Sequence, residues 1–410
     1  MAQLSGVIIN RLEGGLGRRT ANTDGVFALV SAMPLASLNL EAHTAIKLIQ
    51  VKDAEALGIT PAYDANNGVL VHHQLSELFR LAPDVIVYLV GTEVGQTVSG
   101  VIEDILPTIR RNKDIKGLGF IGFDDTLDTL PAALEGIQAS LVDELAAENR
   151  YIDLVLLEGK GGAEAIDPTN IPSLRELAAP QCSVVIAQDP EIAAIDEAYG
   201  NYAAVGAALG MLAVRRVNEN LGSVNIQSKP RNRKGEQDYT LTDSAQNLWL
   251  STALSDGTPT ESLTKTDLKA LNDKGYIYTA SYEGYAGVFF SNSPTATTPD
   301  SDYAYIENNR VWNKAARLIR TTLIPEVRGV VKKDPQTGFI RSTTVSRWTG
   351  LLNAALERME ADDEISGFEV YIDPEQVVND EAPVQVKAKI VADGIVHEFE
   401  IDLGLTNDIS

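Results

Sequence analysis

The residues best suited to chemistry follow a short apolar run at 152–157. They are Glu158-Gly159-Lys160-Gly161-Gly162, a glycine turn bracketed by an acid and a base. Ligands of open α/β sheets gather at the carboxyl ends of strands, where backbone N–H groups in such a turn can cradle phosphate. The phosphate-loop spacing Gly-x-x-x-x-Gly-Lys-Ser/Thr is absent, and no Gly-x-Gly-x-x-Gly follows the run. Asp124, Asp125 and Asp189 also follow apolar runs, where carboxylates can bind a metal or act as acid and base, but Asp is equally the residue that caps helices there. His72 and His73 diverge by about 100° on a helix and cannot share one metal ion there. His43 is isolated. Cys182 is the single cysteine, so neither an intramolecular disulfide nor a cysteine-based zinc site is possible, and it precedes a buried strand. No Gly-x-Ser-x-Gly elbow occurs. These residues predict no catalytic constellation, no cofactor and no metal. An α/β enzyme with a ligand site near Asp124, Gly159 and Asp189 is the second reading.

The elements around them are regular over the first half. Continuous apolar runs begin at Val85, Leu118, Ile152 and Ser183, spaced 33, 34 and 31 residues apart, the length of one βα unit. A helix follows Asp128-Thr129, with Pro131 in its first turn and Leu134, Ile137, Leu141 and Leu145 on one face; another carries Val71, Leu75, Leu78 and Ala82. The pattern predicts an open, mostly parallel sheet covered by helices. A helix at 203–214 is rich in small side chains and reads as core; Lys229, Arg231, Arg233 and Lys234 follow it as a connection.

The second half reads as α+β. A helix spans about 305–324, with Trp312, Ala316, Ile319 and Leu323 as its apolar stripe and Arg310, Lys314 and Arg317 opposite. A second, about 344–361, buries Val345, Trp348, Leu352, Ala355 and Met359. Three alternating strands follow, at 368–372, 384–390 and 395–403, the last after the hairpin signal Asp393-Gly394.

Composition bounds the function. The 410 residues suggest two or three domains; 44% apolar and 22% charged residues describe a globular chain. A net charge of −23 opposes phosphate backbones and anionic bilayers, so nucleic acid is not an expected partner. The N-terminus lacks signal-peptide features and the longest uncharged stretch rich in apolar residues, 198–214, is too short to span a bilayer, so a soluble, intracellularly made protein without membrane insertion is expected. Charge is segregated: nine basic side chains face three acidic ones over 305–350, whereas two face fourteen over 360–410. Such poles can meet head-to-tail. Strand-forming segments also sit at both ends of the chain, Val7-Ile8-Ile9 and 395–403, with nothing beyond them to cover their edges. They can serve as ordinary edge strands or pair with a neighbour.

The C-terminal half resembles the sheath subunit of contractile phage tails and related injection systems. The resemblance rests on the order Leu271-Asn272-Asp273-Lys274-Gly275-Tyr276, then 284–290, a Thr/Asp loop, the Arg310–Arg320 helix, the Trp348 helix, Gly367-Phe368-Glu369-Val370 and a hairpin ending Glu398-Phe399-Glu400-Ile401. Phe289-Phe290-Ser291-Asn292 stands where many sheaths have Trp-Gly and Arg-Thr pairs, marking a divergent branch. The resemblance implies a non-enzymatic subunit of stacked hexameric rings, polymerised helically around an inner tube and contracting by rigid-body rearrangement. It implies an α+β core (1–22 and 225–410) completed by terminal strands, with an inserted, outward-facing open-sheet α/β domain (23–224). Val7, Ile8, Ile9, Ile395, His397, Phe399 and Ile401 would exchange between subunits. Lys332, Lys333, Arg341 and Arg347 would touch the tube, with Arg310, Lys314 and Arg317 as second choice. Partners would be further copies, the tube, the baseplate and terminator or cap proteins, in a particle assembled in the bacterial cytoplasm.

Overall fold

The computed structural model describes residues 23–161, 165–379, 383–401, 403 and 405. The chain divides into two compact units, the first ending at Asn309 and the second beginning at Arg310.

The first unit runs β1 (Phe27–Ala32), β2 (Ala45–Leu48), α1 (Val51–Ala56), α2 (Pro61–Asn67), α3 (Val71–Leu81), β3 (Val87–Thr92), α4 (Val98–Arg111), β4 (Gly117–Ile121), α5 (Leu130–Ile137) and, after a π turn, α6 (Asp143–Ala147). It continues through β5 (Leu154–Glu158), β6 (Cys182–Val185), β7 (Ala187–Gln188), α7 (Pro190–Ala193), α8 (Val205–Val214), β8 (Ala253–Leu254), α9 (Lys265–Asp273), β9 (Tyr276–Ile277), β10 (Thr279–Ser281) and β11 (Val288–Phe290). Seven strands form one sheet in the order β2-β3-β1-β4-β5-β6-β9, parallel except for β2 at one edge. Residues 225–309 lie in this unit, and β9 becomes the last strand of the large sheet.

The apolar runs at 85, 118, 152 and 183 correspond to β3, β4, β5 and β6. All residues of these strands are buried, because helices cover both faces of the sheet. Phe27 and Leu29 face a core built with α3 and α8; Ala28 and Val30 face another built with α4 and α5. Strand β1, inside the sheet between β3 and β4, and helix α4 add to the elements expected from the sequence pattern, although Val26-Phe27-Ala28-Leu29-Val30 is itself an uninterrupted apolar run. The small-residue segment is α8, buried throughout except its last residue. A Cβ on Gly210 would lie 2.9 Å from the carbonyl oxygen of Leu78, so glycine is what lets α8 approach α3.

The second unit contains most of α10 (Ile306–Leu323), α11 (Ser342–Ala361), β12 (Gly367–Ile372) and β13 (Val386–Val391). Its core gathers Ile340, Val345, Trp348, Leu352 and Ile372, with Ile319 and Leu323 packed against them. The α10 stripe differs from expectation at its start: Trp312 is 40% exposed, while Val311 and Ala315 are buried. One residue along a helix is a rotation of about 100°, and the polar residues Arg310 and Asn313 turn inward with Val311. The expected third strand at 395–403 carries no strand pairing among its described residues.

Candidate assembly surface

β12 and β13 form an antiparallel pair with Phe368 opposite Ile390, Val370 opposite Ala388 and Ile372 opposite Val386. Val370, Ile372 and Val386 lie in or against the Trp348 core. On the alternate positions Glu369 faces Lys389 at 3.8 Å and Tyr371 is 52% exposed. Period-two alternation explains the split between faces. Each of the two strands has one edge without a strand partner among the described residues. Such an edge exposes a row of main-chain donors and acceptors.

Beyond β13, Ser366 N–H donates to the Val391 carbonyl at 2.8 Å and Ser366 Oγ–H to Asp393. The chain then carries Ile395, His397, Phe399, Ile401, Leu403 and Leu405 at every second position, with Glu398 and Glu400 between them. Ile395 is half-buried and His397 exposed, whereas Phe399, Ile401, Leu403 and Leu405 are 81, 78, 92 and 106% exposed. One face of this segment is therefore apolar from Phe399 on and uncovered by the described residues. Leu403 and Leu405 extend the expected exchange set, which ends at Ile401, by two steps, and the continuing alternation could have signalled them. Val7, Ile8 and Ile9 lie outside the described residues.

Three of the four basic residues assigned to tube contact come together. Lys333 and Ile340 form a β-bridge, and Arg341 N–H donates to the Lys332 carbonyl at 3.1 Å, closing a small turn that is completed by Gly338 at φ 74°. Lys332, Lys333 and Arg341 are exposed; Lys333 Nζ donates to the Val378 carbonyl at 2.7 Å and Arg341 Nε to the Lys333 carbonyl at 3.2 Å. Nearby in sequence, Val327 and Val330 are 68 and 100% exposed. Arg347 is placed otherwise. Its guanidinium grips both carboxylate oxygens of Glu326, one at 2.6 Å, and Trp348 Nε1–H donates to the same carboxylate at 2.9 Å. The Arg347 bonds first, then the indole, hold the Glu326 carboxyl down to about 2. Of the second-choice residues, Arg310 is fully buried and Lys314 pairs with Glu364 at 2.6 Å, so neither presents the exposed basic face that was expected.

The strand-end residues of the enzyme reading are engaged in backbone structure. Asp125 accepts from Val98 N–H at the start of α4 (2.7 Å), and Asp124 is exposed, its N–H donating to Gln96. Asp189 accepts from Glu191 N–H at the start of α7 and from Trp249 N–H at 2.9 Å; burial pushes its carboxyl up to about 6. A Cβ on Gly159 would meet Val184 at 2.6 Å, so this glycine is packed against β6. His72 reaches Glu55 at 3.3 Å while His73 packs edge-on to Tyr202. Burial pushes the Cys182 thiol well up. Among the described residues no cluster of three His, Cys, Asp or Glu is placed to hold a metal ion, and no helix is long and apolar enough to cross a membrane.

A mixed α/β unit followed by a small unit with an open two-stranded sheet defines an architecture shared with known proteins. The chain belongs to the DUF2586 family: the family's N-terminal domain matches residues 4–294 and its C-terminal domain residues 302–410. No curated protein sequence matches it. The structure is similar to a chain of the anti-feeding prophage (AFP) baseplate, at TM-score 0.60 and 15% identity over 100% of both chains. It is also similar to a chain of an extracellular contractile injection system, the PVC sheath complex in its contracted state, at TM-score 0.59 and 15% identity over 100% of this chain and 99% of that one. The sheath tail protein of Desulfitobacterium hafniense aligns at TM-score 0.51 and 11% identity over 94% of this chain and 100% of its own. The fold is that of contractile sheath proteins.

Proposed function

We propose that the chain is a structural subunit of a contractile tail sheath. It polymerises as stacked hexameric rings around an inner tube and contracts to drive that tube through a target envelope. The observation that carries this reading is the uncovered apolar face of Phe399, Ile401, Leu403 and Leu405, which continues past the open edges of β12 and β13. Burying such side chains stabilises by about 1.5–3 kcal/mol each. Fixing an extended segment costs about 1–2 kcal/mol per residue, so apolar burial alone does not hold it in place. Main-chain pairing adds about 0.5–1.5 kcal/mol per hydrogen bond, which makes strand addition to a neighbour's sheet the economical solution. Repeated by rotation and translation, such a heterologous contact builds an open helical assembly. Val7, Ile8 and Ile9 would donate the second strand, completing an α+β core across subunits. Lys332, Lys333 and Arg341 would meet the tube, while Arg347 supports them by fixing the segment that Glu326 closes. Exposed ion pairs are worth about 0–1 kcal/mol each, which suits a grip that must hold and then release. Baseplate and terminator proteins complete the partner set, in a phage tail or injection-system particle assembled in the bacterial cytoplasm.

The deciding experiment is electron microscopy of the purified chain beside a variant truncated before Ile395. Striated tubes or helical rings from the full chain, and dispersed folded subunits from the truncation, are the expected results. A full chain that stays monomeric with its tube protein present, or a truncation that still polymerises, would overturn the reading.

A further inference from the structure

A cavity of about 210 Å³ opens at the carboxyl ends of β1, β4 and β5, lined by Ser31, Gly122, Glu158, Lys160, Tyr199 and Tyr202 among others. Its position has a topological cause. From β1 the chain runs through the edge strand β2 to β3 on one side and then returns to β4 on the other, so the connections above the sheet part beside β1. Crevices at that point are where open parallel sheets bind ligands.

The walls restrict what fits. The volume lies below the roughly 300 Å³ at which drug-sized sites begin, and equals about seven waters at roughly 30 Å³ each. Both formal charges at the cavity are answered by the protein. Glu158 accepts from Gly122 N–H at 2.7 Å with one oxygen and from Ala203 N–H at 3.0 Å with the other. Lys160 Nζ donates to the Phe123 carbonyl at 2.7 Å and stands 3.9 Å from Glu158. Gln74 is likewise spent on both ends, donating to the Ala203 carbonyl and accepting from Gly206 N–H. One buried polar atom among the lining residues is left over. Ser31 Oγ, on a residue only 1% exposed, has no hydrogen-bond partner. A buried hydroxyl without a partner costs about 1–3 kcal/mol, which an oxygen-bearing ligand in the cavity would relieve.

We infer that this cavity is a binding site for a small uncharged polyhydroxylated molecule, of glycerol to monosaccharide size. Glu158 and Lys160 stand 3.9 Å apart and cancel in formal charge, so the cavity favours neither an anion nor a cation, and each Glu158 oxygen already accepts a backbone donor. A neutral molecule with hydroxyl groups satisfies Ser31, and its C–H faces lie against Val69, Leu70 and the rings of Tyr199 and Tyr202. The cavity is lined by residues of the first unit and does not depend on the sheath reading.

The test is isothermal titration of the full-length chain with glycerol, D-glucose and D-galactose, against sodium acetate and inorganic phosphate, with sucrose as an excluded osmolyte. The expected result is saturable binding of at least one of the first three, weakened about tenfold in Ser31→Ala. Without ligand, Ser31→Ala should melt at the same temperature as the parent or higher, because its hydroxyl has no bond to lose. Saturation by none of the three, saturation by acetate or phosphate alone, or undiminished affinity in Ser31→Ala would each overturn the site. A ligand-free Ser31→Ala that melts lower would do the same by revealing a structural role for the hydroxyl.

Discussion

The backbone N–H of Gly206 donates to Gln74 Oε1 across 2.6 Å, and a Cβ added at 206 would stand 2.2 Å from the Gln74 carbonyl oxygen. Two helices thus touch backbone to backbone, with one side chain closing the end of α8. Gly206→Ala must push α8 off α3, an overpacking that costs about 1–3 kcal/mol or more. Gly350, in the middle of α11 with nothing within 4 Å of its notional Cβ, is the opposite case. Gly350→Ala should stabilise by about 0.5–1 kcal/mol through lost unfolded-state freedom. Urea denaturation of the two variants under non-assembling conditions should move their midpoints in opposite directions.

Phe399 and Ile401 separate folding from assembly. At 81 and 78% exposure they contribute little to the stability of a single chain, and replacing both by Asp should leave it within about 0.5 kcal/mol of the parent. The same change places two charges where a neighbour's sheet would receive apolar side chains, so polymerisation should disappear. Sedimentation velocity and denaturant titration on the same preparation check both halves.

Lys332 and Lys333 are exposed, and reversing both to Glu spares the unit's core. Co-expressed with the tube protein, the double variant should yield empty or already contracted sheaths in electron micrographs. Normal extended particles would count against the tube contact.

Glu326 offers a pH readout with a definite sign. Its carboxyl is depressed from 4.5 to about 2 by Arg347 and then Trp348, so the ionised form is the one the fold favours. The contribution is present above about pH 4.5 and is lost as pH falls toward 2. The Trp348 indole N–H resonance should titrate near pH 2 in the parent and move up toward 4.5 in Arg347→Ala. An unchanged midpoint would show that the guanidinium does not set it.

The strand-end carboxylates show how far residue types can be read. Asp125 and Asp189 follow strands, as catalytic acids do, and both bind helix starts: Asp189 is the N-cap of α7 and holds Glu191 N–H, while Asp125 reaches across to Val98 N–H at the start of α4. Nothing local distinguishes a capping Asp from a catalytic one; only the convergence of other groups does. Ser31 illustrates the reverse. A serine in an apolar run carries no signal, and its unpartnered hydroxyl emerges only when the ends of β1, β4 and β5 and the start of α3 come together around the cavity.

The sequence by itself determined what depends on local pattern and short-range sterics. The runs at 85, 118, 152 and 183 became β3 to β6, the small-residue segment became α8, and the alternation after Val391 set which side chains share one face, exposed among the described residues from Phe399 on. The tertiary structure alone decided the order of the strands, with β1 between β3 and β4 and β9 joining from 276, because pairing partners lie far apart in the chain and hydrophobic runs carry no address. It also decided which face of α10 turns inward, burying Arg310 and Val311 and leaving Trp312 exposed. That choice belongs to the surfaces a helix meets, and helical periodicity fixes only the spacing of its candidates.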